Sequence, residues 1–265
     1  MASRVALVTG SSGGLGRSIA VRLAQGGATI AVTARRDARY PGTVEETKAL
    51  IEQAGGTAVT YDCDLSVAEE RAGLVSRVQQ DLGDVDILVN NAAVSHMEPL
   101  STFPMKRLDL MLDVQVRTPM VLAQGVIPGM RAKGRGWIVN ITSPAAIHPE
   151  PTGGLEWSRN TVYGMCKAAV ERFTTGLAAE LYDDGIDVNA LAPRTMVKTF
   201  GAAAFFDVEQ HETEPPELIA EAVAQLTDPD AERVTGGIFY TAASYDLASP
   251  SGPAYSEGHA LTRQH

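Results

Sequence analysis

The sequence predicts a single-domain α/β fold, a doubly wound parallel sheet with helices on both faces. Three observations predict it. Short apolar runs recur along the chain with helix-like stretches between them, the order of repeated βαβ units. Those runs do not alternate strictly with polar residues, as befits strands covered on both sides. Residues 1–247 contain no long linker, repeat or low-complexity tract at which the chain would divide.

Val5 to Val8 is the first run, followed by a glycine turn over 10–16 and a helical stretch to about Gln25. Thr29 to Thr33 is the second. Residues 44–54 predict a helix with Val44, Thr47, Leu50 and Ile51 on one face. Ala58 to Tyr61, Ile87 to Val89, Trp137 to Ile141, Ile186 to Leu191 and Ile238 to Tyr240 supply five more runs. Met105, Met111, Met120 and Met130 read as core filler along helices. The stretch 197–216 holds Ala202, Ala203, Ala204, Phe205 and Phe206, then acidic residues and Pro215-Pro216. It suits a substrate flap better than a strand. Residues 248–265, rich in Ser, Pro and Gly, read as a C-terminal tail.

Composition excludes several classes. Of the 265 residues, 45% are hydrophobic and 20% charged, an ordinary globular profile. The 22 basic and 32 acidic side chains give a net charge of −10, which argues against a nucleic-acid partner. No apolar stretch has the length of a membrane span. Met1-Ala2-Ser3-Arg4 runs directly into the first strand, unlike a signal peptide. Cys63 and Cys166 form neither a disulfide framework nor a metal set, and a cytoplasmic location is expected.

The glycine turn carries the first chemical signal. Gly10, Ser11, Ser12, Gly14, Leu15 and Gly16 sit between a strand and a helix, where glycines let a phosphate approach the backbone and free N–H groups receive it. The turn reads T-G-x-x-x-G-x-G. Further landmarks follow in order: Asp64-Leu65, Asn90-Asn91-Ala92-Ala93, Ser143, Tyr163-x-x-x-Lys167, and the segment Val188 to Pro193. Taken together, over about residues 3–240, they resemble the short-chain dehydrogenase/reductase family.

The resemblance implies a Rossmann-type fold, a nicotinamide cofactor and interconversion of a carbonyl and an alcohol. It assigns cofactor contacts to the glycine turn, Asp64, Leu65, Asn91, Ala92, Tyr163, Lys167 and Pro193. Tyr163 and Lys167 are four apart, so a helix stacks them on one face. A nearby ammonium favours phenolate, which suits Tyr163 to acid–base work, with Ser143 on the substrate oxygen. Gln115 stands where the family usually carries an Asn that holds a relay water. Thr199 lies one place later than the family's threonine. Ser143 and Tyr163 are also further apart than usual. The extra residues fall in a Pro/Gly loop over 148–160 that includes Trp157. With His96 and Phe205, Trp157 is a candidate for the substrate pocket.

At the end of the second strand Ala34 replaces the acidic residue that NAD-preferring folds use on the ribose. Arg35 and Arg36 follow and can hold a 2′-phosphate, so NADP is favoured over NAD. Asp37 can also pair with one of them. The five histidines show no metal-ligand spacing, and no metal is expected. The family implies a homotetramer or homodimer built on long helices, here about 104–130 and 160–182, with Pro119 kinking the first. The expected activity is NADP-dependent ketone or aldehyde reduction and its reverse. An NAD-dependent alcohol dehydrogenase and a catalytically silent cofactor-binding protein are the alternatives.

Overall fold

The computed structural model describes residues 3–37, 42–148, 159–199, 203, 212–241, 247–248 and 261–262. Seven parallel strands form the central sheet: β1 (Val5–Thr9), β2 (Thr29–Ala34), β3 (Thr57–Asp62), β4 (Ile87–Asn90), β5 (Gly136–Ile141), β6 (Ile186–Ala192) and β7 (Ile238–Thr241). Each strand outruns its apolar run by one or two residues. Polar ends still pair, as in Thr9 beside Thr33 and Asn90 beside Asn140. The order is β7-β6-β5-β4-β1-β2-β3, with Leu247–Ala248 antiparallel on the β7 edge. The strand order therefore reverses between β1 and β4, where open α/β sheets leave a crevice at their carboxyl ends.

Successive strand residues point to opposite faces, so each face has its own core. Ala6, Val8, Ile30, Val32 and Val89 meet α1 (Gly14–Gln25), α2 (Val44–Gln53) and α7 (Pro216–Leu226). Val5, Leu7, Leu88, Ile138 and Val188 meet α3 (Ala68–Leu82), α5 (Thr118–Lys133) and α6 (Thr161–Glu180). Helix α2 opens with a reciprocal cap: Glu46 N–H donates to Thr43 Oγ1 at 3.1 Å, and the Glu46 carboxylate accepts from Thr43 N–H at 3.4 Å. Its buried face is Val44, Thr47 and Ile51. Leu50 is 42% exposed, because at about 100° per residue a step of six falls off the stripe.

The first long helix expected over 104–130 is two helices. After α4 (Met105–Leu112), residues Asp113–Arg117 form a π turn that leads into α5. The Thr118 N–H bonds to the Asp113 carbonyl five residues back. Pro119 has no N–H to return to the Gln115 carbonyl, so the ordinary ladder cannot pass this point. Met111 and Met130 are buried as core filler, whereas Met105 and Met120 are exposed.

The expected flap closes earlier than 216. Thr213–Glu214 pairs in parallel with Met196–Val197, and Pro216 opens α7, a position where its missing N–H is harmless. Within the expected tail, Leu261–Thr262 pairs with Val234–Thr235. Among the described residues no helix is long and apolar enough to cross a membrane, and no cluster of His, Cys, Asp or Glu has the makings of a metal site.

Candidate active site

The carboxyl ends of β1, β4, β5 and β6 converge around the crevice. At the end of β1 the glycine turn is locked from β4. Asn91 Nδ2 donates to the Thr9 carbonyl at 2.8 Å and the Gly10 carbonyl at 3.3 Å, while Thr9 Oγ1 accepts from the N–H groups of Asn91 and Ala92. Gly10 has φ +66°, and a Cβ there would stand 3.0 Å from Ala92 Cα. A Cβ on Gly16 would collide with the Gly10 carbonyl and stand 2.6 Å from Asn91 Nδ2. Helix α1 begins at Gly14 with no side-chain cap and no acidic residue in its first turn. Its N–H groups and dipole are therefore available to an anion, with glycine at the first and third helical positions. A nicotinamide dinucleotide's pyrophosphate fits this cradle. Ser11 serves the turn itself, its hydroxyl donating to the Val8 carbonyl at 2.8 Å and accepting from Thr33 N–H at 2.9 Å. Ser12 and Leu15 lie partly buried on the turn.

The end of β5 and the start of α6 bring together Ser143, Tyr163 and Lys167. Ser143 is extended and caps a short turn over Pro144–Ala146. Tyr163 lies half-buried on the first turns of α6. Burial pushes its phenol above the ordinary value, and a hydrogen bond with Ser143 pulls it back. The Lys167 ammonium lies 5.6 Å from the Tyr163 ring centroid and donates to the Ile141 carbonyl at 3.0 Å. Burial drives Lys167 down to about 8, opposed by Cys166 when its thiol is ionised and by the Glu171 carboxylate. The net direction for Tyr163 is therefore upward, opposite to the lowering that the sequence leads one to expect from Lys167.

Behind them runs a buried polar chain. Asn90 Nδ2 donates to Asn140 Oδ1 at 2.8 Å, Asn140 Nδ2 to Thr174 Oγ1 at 2.9 Å, and Thr174 to the Val170 carbonyl. Gln115, on the π turn, is 2% exposed and donates from Nε2 to the Val94 carbonyl at 3.0 Å. Its Oε1 is buried without a partner among the described residues.

At the far end of the crevice, Arg35 pairs with Asp37 at 2.9 Å and Asp64 at 3.6 Å. Arg36 meets Asp62 at 3.1 Å and Glu45 at 3.8 Å and is 76% exposed. Burial works to raise the Asp64 carboxyl. Two hydrogen bonds from Ser66 and the Arg35 charge outweigh it and hold Asp64 below its usual range. The Leu65 carbonyl accepts from Arg71 at 2.7 Å. Asp64 and Leu65 thus sit in a braced loop beside Arg35.

After β6, Pro193 leads into a segment fastened by Glu214, which accepts from the N–H groups of Arg194 and Thr195 and from Thr241 Oγ1. Thr199 Cγ2 would lie 3.4 Å from a Cβ on Gly14, so this segment reaches back to the glycine turn. His96 pairs with Glu98 at 3.0 Å and stands edge-on to Phe103, which shares an apolar cluster with Tyr163. Trp157 and Phe205 lie outside the described residues. A cavity of about 420 Å³ beside Arg135, Trp137 and Arg233 is at the opposite ends of β5 and β6 and takes no part in the site.

Two buried carboxylates beside the site are not marked by the sequence, Glu171 and Glu214. The missed signal for Glu171 is its place on the buried stripe of α6, four residues after Lys167, where an unpaired carboxylate has no business.

Comparison with known proteins agrees with this fold. The short chain dehydrogenase family profile matches residues 4–210. A short chain dehydrogenase of Pseudocercospora fijiensis is 36% identical over 202 residues, covering 75% of this chain and 62% of that protein. Human dehydrogenase/reductase SDR family member 4 is 33% identical over 247 residues, covering 89% of this chain and 85% of its own. A metagenomic short-chain oxidoreductase solved in complex with NADP superposes with a TM-score of 0.73 at 29% identity, over 90% of this chain and 97% of that one. With its strand order, its locked glycine turn and the Ser143, Tyr163 and Lys167 set, the chain belongs to the short-chain dehydrogenase/reductase family.

Proposed function

We propose that the chain is an NADP(H)-dependent oxidoreductase that interconverts a ketone or aldehyde and the corresponding alcohol. The observation that carries this reading is the convergence of Ser143, Tyr163 and Lys167 beside a cradle suited to a pyrophosphate. When bound, the cofactor supplies or accepts the hydride. In reduction Tyr163 gives its phenolic proton to the substrate oxygen, and in oxidation it takes that proton back. The Ser143 hydroxyl bonds the same oxygen as charge develops. Lys167 holds the nicotinamide ribose, and its charge acts on Tyr163. Gln115, with a spare buried acceptor, continues the proton path.

Arg35 and Arg36, with Ala34 in place of a carboxylate, support NADP. The NADP complex of the metagenomic relative supports it further. One observation favours the NAD reading: both arginines already have carboxylate neighbours, Asp37 and Asp64 on one and Asp62 on the other. His96, Trp157 and Phe205 are our candidates for the substrate pocket. Cys63 and Cys166, both free and buried, support a reducing cytoplasm. Met120 and Met165, exposed on α5 and α6, suit the helix-built homo-oligomer of the family. The test is nicotinamide absorbance across a panel of ketones and alcohols with NADPH and NADH in parallel. Turnover with NADPH preferred supports the proposal. Turnover favouring NADH selects the alternative cofactor, and cofactor binding without turnover selects the silent protein.

A further inference from the structure

We propose that Glu171 is a positioning residue for this reaction, a buried carboxylate that keeps the Lys167 side chain charged and aimed. The inference rests on the function proposed above. Lys167 and Glu171 are each 3% exposed and lie one turn apart on α6, on a shared face. Both fasten to the end of β5. Lys167 Nζ donates to the Ile141 carbonyl at 3.0 Å, and Thr142 Oγ1 donates to Glu171 Oε1 at 2.9 Å. Ser143 is the next residue. One helix turn therefore grips the two residues that precede the substrate-binding hydroxyl.

Among the described groups around this pair, Glu171 is the standing charge near pH 7. On α6, Tyr163 and Cys166 neighbour Lys167, and burial pushes both above their ordinary values, so they are neutral near pH 7. On β7, Tyr240 has a buried hydroxyl without a partner among the described residues. Burial, then the Glu171 charge, pushes that phenol up to about 12. From the end of β5 comes the Ile141 carbonyl, and from the residues just beyond it the hydroxyls of Thr142 and Ser143. An ammonium stripped of water needs a compensating anion to stay protonated, and Glu171 is placed to supply it.

The experiment titrates Lys167 directly, by NMR of the chain carrying ¹³C-labelled lysine, with Lys167→Arg identifying the signal. Glu171→Gln is expected to lower the Lys167 pKa by about one to three units, the usual effect of a close opposite charge. Glu171→Asp should hold it nearer the parent value. The alkaline limb of kcat/KM should move to lower pH with the titration. A merely structural role would instead lower the rate evenly at every pH. An unchanged Lys167 titration overturns the proposal, and so does a lowered titration with an unmoved rate limb. If Glu171→Gln does not fold, Thr142→Val takes its place by removing the hydroxyl that aims the carboxylate. A downward shift then supports the proposal and a parent-like titration overturns it. A parent chain that turns over nothing refutes the proposed function, while the NMR arm still reads whether Glu171 holds the charge on Lys167.

Discussion

In the proposed reaction Tyr163 passes a proton between protein and substrate, and its hydroxyl is the only part of the side chain which that step requires. Tyr163→Phe keeps the ring in its apolar cluster and removes that hydroxyl. Turnover should fall by about 10²–10⁴ while NADPH affinity stays close to the parent's. Near-normal turnover on a substrate of the parent would end the assignment. Arg35 is held between Asp37 and Asp64, so its fork is oriented before any ligand arrives. Arg35→Asp should shift the kcat/KM ratio from NADPH toward NADH. An unchanged ratio would pass the role to Arg36. Tyr163, Lys167 and Ser143 were legible because spacing and strand context mark them. Glu171 and Glu214 were not, because a lone glutamate reads as a surface residue until burial is known.

The glycine turn is a joint between β1, α1 and β4, and its geometry leaves no room for a side chain at Gly16. Gly16→Ala must push the Gly10 carbonyl or Asn91 aside. We expect a loss of about 1–3 kcal/mol in stability, as for an overpacked core, together with weakened cofactor binding. Denaturant melts and NADPH fluorescence titration check both, and a parent-like midpoint would show that the turn yields freely. The strands and the helix after the turn were legible because apolar periodicity marks them directly. Their ends were not, since Thr9, Asn90 and Thr241 pair in the sheet although they are polar. The π turn was half legible: Pro119 announced an interruption, but its form depends on Thr118 finding the Asp113 carbonyl. Helix α7 was hidden because its start was read as the end of the flap.

Assembly and charge act on the chain as a unit. Met120 and Met165 leave apolar surface on α5 and α6. Replacing both with Glu should shift the protein to a smaller species in light scattering, since charge at an apolar contact is costly. An unchanged mass would mean that these methionines do not join the proposed oligomer. Lys167 titrates near 8 in the folded chain against an ordinary 10.5. Between those values the unfolded chain holds the extra proton, so folding is favoured more as pH rises. The parent should gain on Lys167→Met by roughly 1–3 kcal/mol across that window, read from melts at each pH. A pH-independent difference would mean that Lys167 carries no such penalty.

The pairing of Met196–Val197 with Thr213–Glu214 fixes the two ends of the intervening stretch side by side. Glu214 then ties those ends to Arg194, Thr195 and, through Thr241, to β7. Closing a loop costs little more as it lengthens, about 0.6 kcal/mol for each doubling. The stretch between the stitched ends is therefore a cassette. If this stretch lines the substrate pocket as proposed, a graft at these two seams is expected to change specificity while the register of the sheet stays in place.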